Sequence, residues 1–382
     1  MSPRTAELIR AEAARFGSIA FDRYVELALY GIDGFFARGL GAGSRRDFVT
    51  SPEVGPLFGA LVARAFDRHW QALGEPDPFV VVEAGAGNGR LCREVLRAEP
   101  ACGPALRYVL VERSAALRTE QSHHLPVEPP DEALGAFVAT DPESAPAPVA
   151  RLGPIVTSLD QLPSLPFEGV VFANELLDNL PFGLAEWDGD RWLDVRVDAD
   201  LRAVLVPLVD PHALATLEPF GTPPPGTRAP VPVQLDAWLA AAARCVSRGP
   251  VVLVDYCVAA GELVARGNDW LRTYRGQERG ADPFETPGER DITADVVLEQ
   301  VAAAARRCGL GEYSAMSQAE WLRQLGIDDL VADGKRIWAA RAAVGDVVAL
   351  EGRSRATQAA VLTDRSAPGA LGNHTVLTFP QT

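Results

Sequence analysis

The sequence contains almost no lysine: Lys335 is the only one, and arginine supplies the rest of the 36 basic residues. Acidic residues number 51, so the formal net charge at pH 7 is −15. A surface this acidic repels phosphate backbones and anionic lipids, which argues against nucleic acids and membranes as partners. The charge balance favours cationic or neutral partners instead.

Cysteine is also scarce, and long hydrophobic runs are missing. The cysteines stand at positions 92, 102, 245, 257 and 308; they form no C-x-x-C pair, and no histidine joins them in a metal-ligand pattern. This pattern predicts a reduced, cytoplasmic protein without a metal site. No run of about 18 apolar residues exists, so a transmembrane helix is not expected. Residues 1–15 carry Glu7 and Glu12 and have no long apolar region, so a secretory signal is not expected.

A length of 382 residues suggests either two to three units or one core with large insertions. Short β-branched runs alternate with helical patterns after residue 76, which predicts an α/β fold with a parallel sheet and right-handed crossovers. Five buried strands and two late ones give a seven-stranded sheet; they are predicted at 79–82, 108–111, 155–157, 169–173, 251–254, 310–316 and 374–379.

Helical patterns and turn residues fill the remaining sequence. Helices are predicted within 2–30, at 56–73, 234–247 and 295–307, and in a stretch that reaches about residue 350. Residues 31–47 read as a glycine-rich loop, residues 185–208 as paired hairpin strands, and residues 260–292 show no clear period. We therefore expect residues 1–75 and insertions at about 185–230 and 260–292 to decorate the sheet.

A glycine-rich turn, Glu83-Ala84-Gly85-Ala86-Gly87-Asn88-Gly89, follows the first buried strand. Glycine allows a tight turn and lets a ligand approach the main chain, while the next helix offers free amides. A dinucleotide fingerprint needs a small residue where Arg90 stands, and a P-loop needs a lysine. Glu83 would repel a phosphate but suits an ammonium or sulfonium group.

Two further acids stand where the next strands end. Glu112 ends the second strand, at the position where Rossmann-like sheets bind both ribose hydroxyls. Asp160 lies just past the third strand, where it can face an adenine edge. This order of acids and glycines favours S-adenosyl-L-methionine (SAM) over NAD. The alternative is an ordinary glycine turn beside solvated surface acids.

At these residues the chain resembles the MidA-type class I SAM-dependent methyltransferases, relatives of the mitochondrial complex I assembly methyltransferase. Two specific stretches carry most of the likeness, Asp47-Phe48-Val49-Thr50-Ser51-Pro52-Glu53 and Asn174-Glu175-Leu176-Leu177-Asp178-Asn179-Leu180-Pro181. Further matches occur at Val254-Asp255-Tyr256, Tyr274-Arg275-Gly276 and Asp291-Ile292-Thr293-Ala294. Residues 55–56, 257 and 297–298 depart from the family pattern, and the first and third of these affect the acceptor side.

The resemblance implies a Rossmann-like, seven-stranded methyltransferase domain over residues 76–382, covered at its active site by a helical extension over residues 1–75. It also implies a protein or peptide substrate, because relatives form symmetric ω-N-dimethylarginine on a respiratory-chain subunit. Together with the residue pattern, it assigns cofactor binding to Glu83, Gly85, Ala86, Gly87, Asn88, Gly89, Glu112, Asp160, Asn174 and Ser51.

Glu175, Asp178 and Glu53 are the candidates for acceptor binding and proton removal. A guanidinium stays charged, with a pKa above about 12, so carboxylates must hold it and withdraw a proton. The spacing of Glu175 and Asp178 predicts one helical turn and a shared face. Glu53 binds either the acceptor or the methionine ammonium. Structural alternatives stay open: a helix cap at Glu175, a turn at Asp178 and a first-turn acid at Glu53.

Three other functions compete with arginine methylation. The chain could methylate a small molecule or peptide at nitrogen or oxygen, or it could bind SAM as an assembly factor without turnover. An NAD-dependent dehydrogenase is disfavoured because Arg90 breaks the fingerprint and no hydride-transfer base is evident.

Overall fold

A computed structural model describes residues 3–38, 50–134, 152–275, 278–280, 282–367 and 370–381. Residues 39–47 of the predicted glycine-rich loop, residues 47–49 of the first family stretch and Gly276 of another lie outside the described residues.

Helices and strands alternate through most of the described chain. The helices are Pro3–Phe16 (α1), Phe21–Tyr30 (α2), Ser51–Val54 (α3), Pro56–Ala72 (α4), Arg90–Arg97 (α5), Ala115–His124 (α6), Pro130–Leu134 (α7), Pro211–Leu217 (α8), Leu235–Cys245 (α9), Ala260–Ala265 (α10), Leu298–Arg307 (α11), Gln318–Gln324 (α12), Ile327–Arg341 (α13) and Val347–Leu362 (α14).

The strands belong to one large sheet and three smaller ones. They are Ile19–Ala20 (β1), Phe79–Ala84 (β2), Leu106–Val111 (β3), Val127–Glu128 (β4), Ile155–Leu159 (β5), Phe167–Asn174 (β6), Gly183–Trp187 (β7), Trp192–Val197 (β8), Ala203–Pro207 (β9), Arg228–Val231 (β10), Val246–Asp255 (β11), Cys257–Val258 (β12), Leu271–Arg275 (β13), Glu278–Gly280 (β14), Asp291–Ala294 (β15), Val296–Val297 (β16), Ser314–Ser317 (β17) and Thr375–Gln381 (β18).

The central sheet has the order β17-β18-β11-β6-β2-β3-β5-β4 among the described residues. Strands from β11 to β4 pair in parallel, whereas β18 runs antiparallel to both β11 and β17. The predicted α/β fold with five buried strands and two late ones is therefore confirmed. The edge strand β4 was not predicted because two residues are too short to show a pattern.

Hydrophobic packing covers both faces of this sheet. All six residues of β2 are buried, and so are all six of β3. Neighbouring residues of β2 point to opposite sides: Val81 packs with α4 and α5, and Val82 packs with α9 and α11. Burial on two faces explains why the strand reads as one continuous apolar run.

The first helices do not pack on the central sheet. β1 pairs with β8 of the predicted hairpin, and α1 and α2 share a separate core with that hairpin and with Trp270. The hairpin itself is confirmed by the β7–β8 and β8–β9 pairings. Helix α4, in contrast, packs on the central sheet. The division of the chain at residue 75 stays a prediction.

Some predicted boundaries were wrong. The stretch 260–292, which shows no period, contains α10 and a sheet of order β14-β13-β15. The helix predicted to start at 295 begins at Leu298, because β15 and β16 occupy the preceding residues. The last helix continues to Leu362 rather than to about 350. In each case pairing or packing between distant segments decides the structure.

Helix α6, which follows β3, begins with a serine cap. The Oγ of Ser114 accepts a hydrogen bond from the backbone N–H of Leu117 and donates one to the carbonyl of Phe36. The second bond ties α6 to the N-terminal segment. Ser114 therefore stabilises both the helix and its contact with the N-terminal segment.

We expect Ser114→Ala to lower the free energy of unfolding by about 1–2 kcal/mol, because one capping bond and one bond to Phe36 are lost. Urea denaturation would measure the change. Ser122→Ala on the exposed side of the same helix is the control, with an expected change within about 0.5 kcal/mol. Equal stability of the two variants would show that the cap contributes nothing.

Candidate active site

A cavity of about 770 Å³ opens where β2, β3, β5 and β6 end. Ligands bind at this edge of open α/β sheets, where the strand order reverses. Two of the predicted catalytic residues, Glu53 and Glu175, line the cavity. Its walls also include eight of the residues predicted to bind cofactor, namely Glu83, Gly85, Ala86, Gly87, Asn88, Glu112, Asp160 and Asn174. The predicted residues Gly89, Ser51 and Asp178 do not line it.

The glycine loop has one requirement shared by its three glycines and a further one at two of them. Gly85, Gly87 and Gly89 all have left-handed backbone conformations, with φ of 72°, 54° and 80°. A Cβ at Gly89 would lie 2.7 Å from Leu125 Cδ1, so this glycine allows close helix packing. A Cβ at Gly87 would meet no atom within 4 Å, so a side chain there would enter the space of a ligand.

Glu112 connects the loop to the end of β3. Its carboxylate accepts hydrogen bonds from the backbone N–H of Gly87 (3.0 Å) and from that of Ser114 (2.7 Å). Burial raises the pKa of Glu112 despite these two bonds. A carboxylate has about four acceptor sites, so lone pairs remain for two ribose hydroxyls. This geometry fits the predicted ribose contact.

Gln121 on α6 also holds the glycine loop, although no sequence motif marks this residue. Its side chain is fully buried; Nε2 donates to the carbonyl of Gly87 (2.7 Å), and Oε1 accepts from Ser158 Oγ (2.6 Å) on β5. The loop is therefore held by Glu112, at the end of β3, and by Gln121, on α6.

Glu83 is buried beneath the loop rather than exposed as a free charge. The hydroxyl of Tyr108 donates to its carboxylate at 2.6 Å, and burial raises the pKa of Glu83 to about 8. Asp160 is an exposed residue on the cavity wall. The two acids thus lie where the sequence predicts them, with different electrostatic environments.

Glu175 directly follows β6 and has a left-handed backbone, with φ of 53°. The helical turn predicted from Glu175 to Asp178 is wrong, because a 3₁₀ turn forms only over Leu177–Asn179. The carboxylate of Asp255 accepts hydrogen bonds from the N–H groups of Leu176 (3.2 Å) and Leu177 (2.8 Å). Asp255 thereby fixes the turn that presents Glu175.

The Glu175 carboxylate faces the cavity and is held from two sides. Its Oε1 accepts from the backbone N–H of Ser51 (3.2 Å) and from Asn174 Nδ2 (3.1 Å). Burial, followed by the charge of Asp178, raises the pKa of Glu175 to about 8. Asn174 Oδ1 is buried without a hydrogen-bond partner among the described residues, so this wall can accept a donor from a ligand.

Asp178 and Ser51 stand behind the cavity wall. Asp178 is 6% exposed and accepts from Thr293 Oγ1 at 2.7 Å; burial raises its pKa to about 6. Ser51 is fully buried, and its Oγ donates to Gln318 Oε1 at 3.0 Å. Ser51 therefore affects the cavity through its N–H bond to Glu175. A direct contact of Asp178 with the acceptor stays a prediction.

Glu53 lines the cavity but is already paired with an arginine of the same chain. Arg90 Nη1 lies 2.9 Å from Glu53 Oε2, and Arg90 Nε donates to the carbonyl of Pro52 at 3.0 Å. The sequence could not show this pair, because its members lie on α3 and α5.

All five cysteines are free. In the parts of the chain that the structure describes, no group of three or more His, Cys, Asp or Glu side chains could hold a metal ion. Within the same residues, no helix combines the length and the apolar character needed to cross a membrane.

A parallel-rich sheet, a glycine loop after β2 and an acid at the end of β3 define a class I SAM-dependent methyltransferase. The chain belongs to the family described as "Putative S-adenosyl-L-methionine-dependent methyltransferase", whose model matches residues 61–315. A likely methyl transferase from Burkholderia thailandensis, whose crystal structure contains bound S-adenosyl-homocysteine, is 28% identical in sequence. The two structures superpose with a TM-score of 0.78, and the match covers 99% of this chain and 92% of that chain.

Curated relatives are similar over most of the chain. The human protein arginine methyltransferase NDUFAF7, mitochondrial, is 28% identical over an alignment of 312 residues, and the alignment covers 75% of this chain and 65% of that protein. The bovine protein of the same name is 28% identical over 304 residues, with the same two shares. The Drosophila melanogaster homologue is 27% identical over 327 residues. The match thus covers just under two thirds of the mammalian relatives' length.

Proposed function

We propose that the chain transfers a methyl group from SAM to a guanidinium nitrogen of an arginine in a protein or peptide, in the symmetric ω-N manner implied by the family resemblance. The observation that carries the proposal is Glu175, a carboxylate on the wall of the cavity at the end of β6. The bovine and human relatives, which are named protein arginine methyltransferases, support it.

Bound SAM supplies a methyl group on an electrophilic sulfonium. The glycine loop and Glu112 bind and orient the nucleoside, and Asp160 lies at the adenine side. Methyl transfer from such a donor requires mainly positioning and exclusion of water. The residues of this chain must therefore hold the acceptor nitrogen and accept the proton that it loses.

Glu175 suits both of these tasks. Its two hydrogen bonds from the described residues both go to Oε1, so Oε2 has acceptor capacity for a guanidinium N–H. An arriving guanidinium would favour the ionised form of Glu175 and lower its pKa from the value of about 8 in the free protein. Asp178, buried behind Glu175, adds negative potential that favours a cation here.

We expect the pH profile of methyl transfer to follow Glu175. Its pKa is raised, so the carboxyl stays protonated below about pH 8 and the ionised form that holds a guanidinium appears only as the pH rises. The acceptor kcat/KM, measured with saturating SAM, should rise with pH and level off above about 8. A flat profile between pH 6 and about 9 would contradict the role of Glu175.

Mass spectrometry of the proteome tests the proposed acceptor. Wild-type cells should contain an arginine-methylated protein that cells lacking the gene do not contain, and the purified chain with SAM should restore the modification. A methylated small molecule as the only difference would favour the alternative acceptor. No methylated product at all, with intact SAM binding, would favour an assembly factor without turnover.

We propose a cytoplasmic location for this reaction. The five cysteines are free in the structure, as is usual in a reducing compartment. Fractionation of cells with an antibody against the chain would test the location.

A further inference from the structure

We infer that the ion pair between Arg90 and Glu53 is the subsite for the amino-acid end of SAM, a role that rests on the proposed function. Both side chains line the cavity, and their charged atoms lie 2.9 Å apart. The Glu53 side chain is only 5% exposed, whereas that of Arg90 is 32% exposed. The carboxylate of Glu53 thus already has a guanidinium partner from the same chain, through its Oε2 atom.

The Arg90–Glu53 pair lies on the β6 side of the cavity, away from the proposed nucleoside position at β5 and β3. Strands β5, β3, β2 and β6 are adjacent in that order, with Asp160 and Glu112 at the ends of the first two. Helix α3, which carries Glu53, lies beside the end of β6, because the Ser51 N–H bonds to Glu175. A ligand with adenine and ribose at β5 and β3 therefore extends past the glycine loop towards α3.

The ion pair offers an oppositely charged partner to each of the two charged groups at the methionine end of SAM. That end carries a carboxylate and an ammonium group, and a guanidinium beside a carboxylate offers each group a partner of opposite sign. Arg90 uses Nε to bind the carbonyl of Pro52 and Nη1 to pair with Glu53. A guanidinium has five N–H donors in all, so donors remain for the carboxylate of the ligand. The N-terminus of α5, where Arg90 is the first residue, adds a favourable dipole for a carboxylate.

The other arginines on the cavity wall are less suited to this role. Arg113 stacks on Tyr30 and pairs with Glu26 at 2.6 Å, and it directly follows the ribose acid Glu112. Arg244 is an exposed residue of α9 at the outer wall. Arg90 is the arginine that adjoins the glycine loop. Glu53, in this arrangement, belongs to the cofactor subsite and not to the acceptor site.

Calorimetric titration with two nucleosides tests the subsite. S-adenosyl-homocysteine has the amino-acid end, whereas 5′-methylthioadenosine has the same nucleoside without it. We expect Arg90→Gln to weaken S-adenosyl-homocysteine about 10- to 100-fold and methylthioadenosine by less than about threefold. Glu53→Gln should show the same selectivity with a smaller loss, and Arg90→Lys should restore part of the affinity because it keeps the charge.

Arg93→Gln is the matched control, since Arg93 lies on the same helix, pairs with Glu94 and does not line the cavity. It should leave both affinities unchanged. Equal weakening of both nucleosides by Arg90→Gln would overturn the subsite and show that Arg90 only supports the loop. Unchanged affinity for both would overturn it as well. Wild-type protein that binds neither nucleoside would instead contradict the proposed function.

Discussion

Replacing Glu175 by glutamine should lower the rate of methyl transfer about 100- to 10,000-fold while S-adenosyl-homocysteine affinity stays within about threefold. Glutamine keeps the size of the side chain and can still accept the hydrogen bonds of Ser51 and Asn174. It cannot take a proton from the acceptor or pair with its charge. Single-turnover methyl transfer with labelled SAM, together with calorimetry, would separate the two effects.

Glu168→Gln is the matched control for this substitution. Glu168 lies at the start of the same strand, β6, where it pairs with Arg248 at the surface. It should leave the rate unchanged. Undiminished turnover by the Glu175 variant would remove this residue from the chemistry, and loss of cofactor binding would mean that Glu175 belongs to the SAM site instead.

Replacing Gly87 by aspartate should reduce the affinity for S-adenosyl-homocysteine by at least about 100-fold. The new side chain would stand in open cavity space, where no atom lies within 4 Å of a Cβ. Its charge would also lie beside Glu112, to which the Gly87 N–H donates at 3.0 Å. Aspartate tolerates a left-handed backbone better than most residues, so the fold should survive. Calorimetry and thermal unfolding would measure both quantities.

Gly17→Asp serves as the control for this change. Gly17 also has a left-handed backbone, with φ of 83°, and a Cβ there would meet nothing within 4 Å, but it lies outside the cavity. This variant should show the same small loss of thermal stability and normal binding. Unchanged affinity in the Gly87 variant would mean that the nucleoside does not approach the loop.

The sequence could predict the central sheet and the cofactor half of the cavity, because both depend on local patterns. Strands buried on two faces read as unbroken β-branched runs, as in β2. Parallel strands end at one edge of a sheet, so the positions of Glu83, Glu112 and Asp160 in the chain already bring these acids together. The glycine loop was predictable because glycine readily adopts the left-handed backbone found at Gly85 and Gly87.

The geometry of the rest of the cavity depends on contacts between distant segments, so local sequence patterns could not predict it. Glu175 has a left-handed backbone, and the N–H groups of the next two residues, Leu176 and Leu177, donate hydrogen bonds to Asp255. The Arg90–Glu53 pair and the Ser51–Gln318 contact join helices far apart in the chain. Helical spacing suggested that Asp178 shares a face with Glu175, but the chain there turns without an α-helix.

A crystal structure of the chain with S-adenosyl-homocysteine is the most direct test of a single site that joins the glycine loop to Glu175. We predict the ribose hydroxyls at Glu112 and the sulfur on the side of the cavity that Glu175 lines. The nucleoside bound elsewhere, or its sulfur turned away from Glu175, would contradict the account.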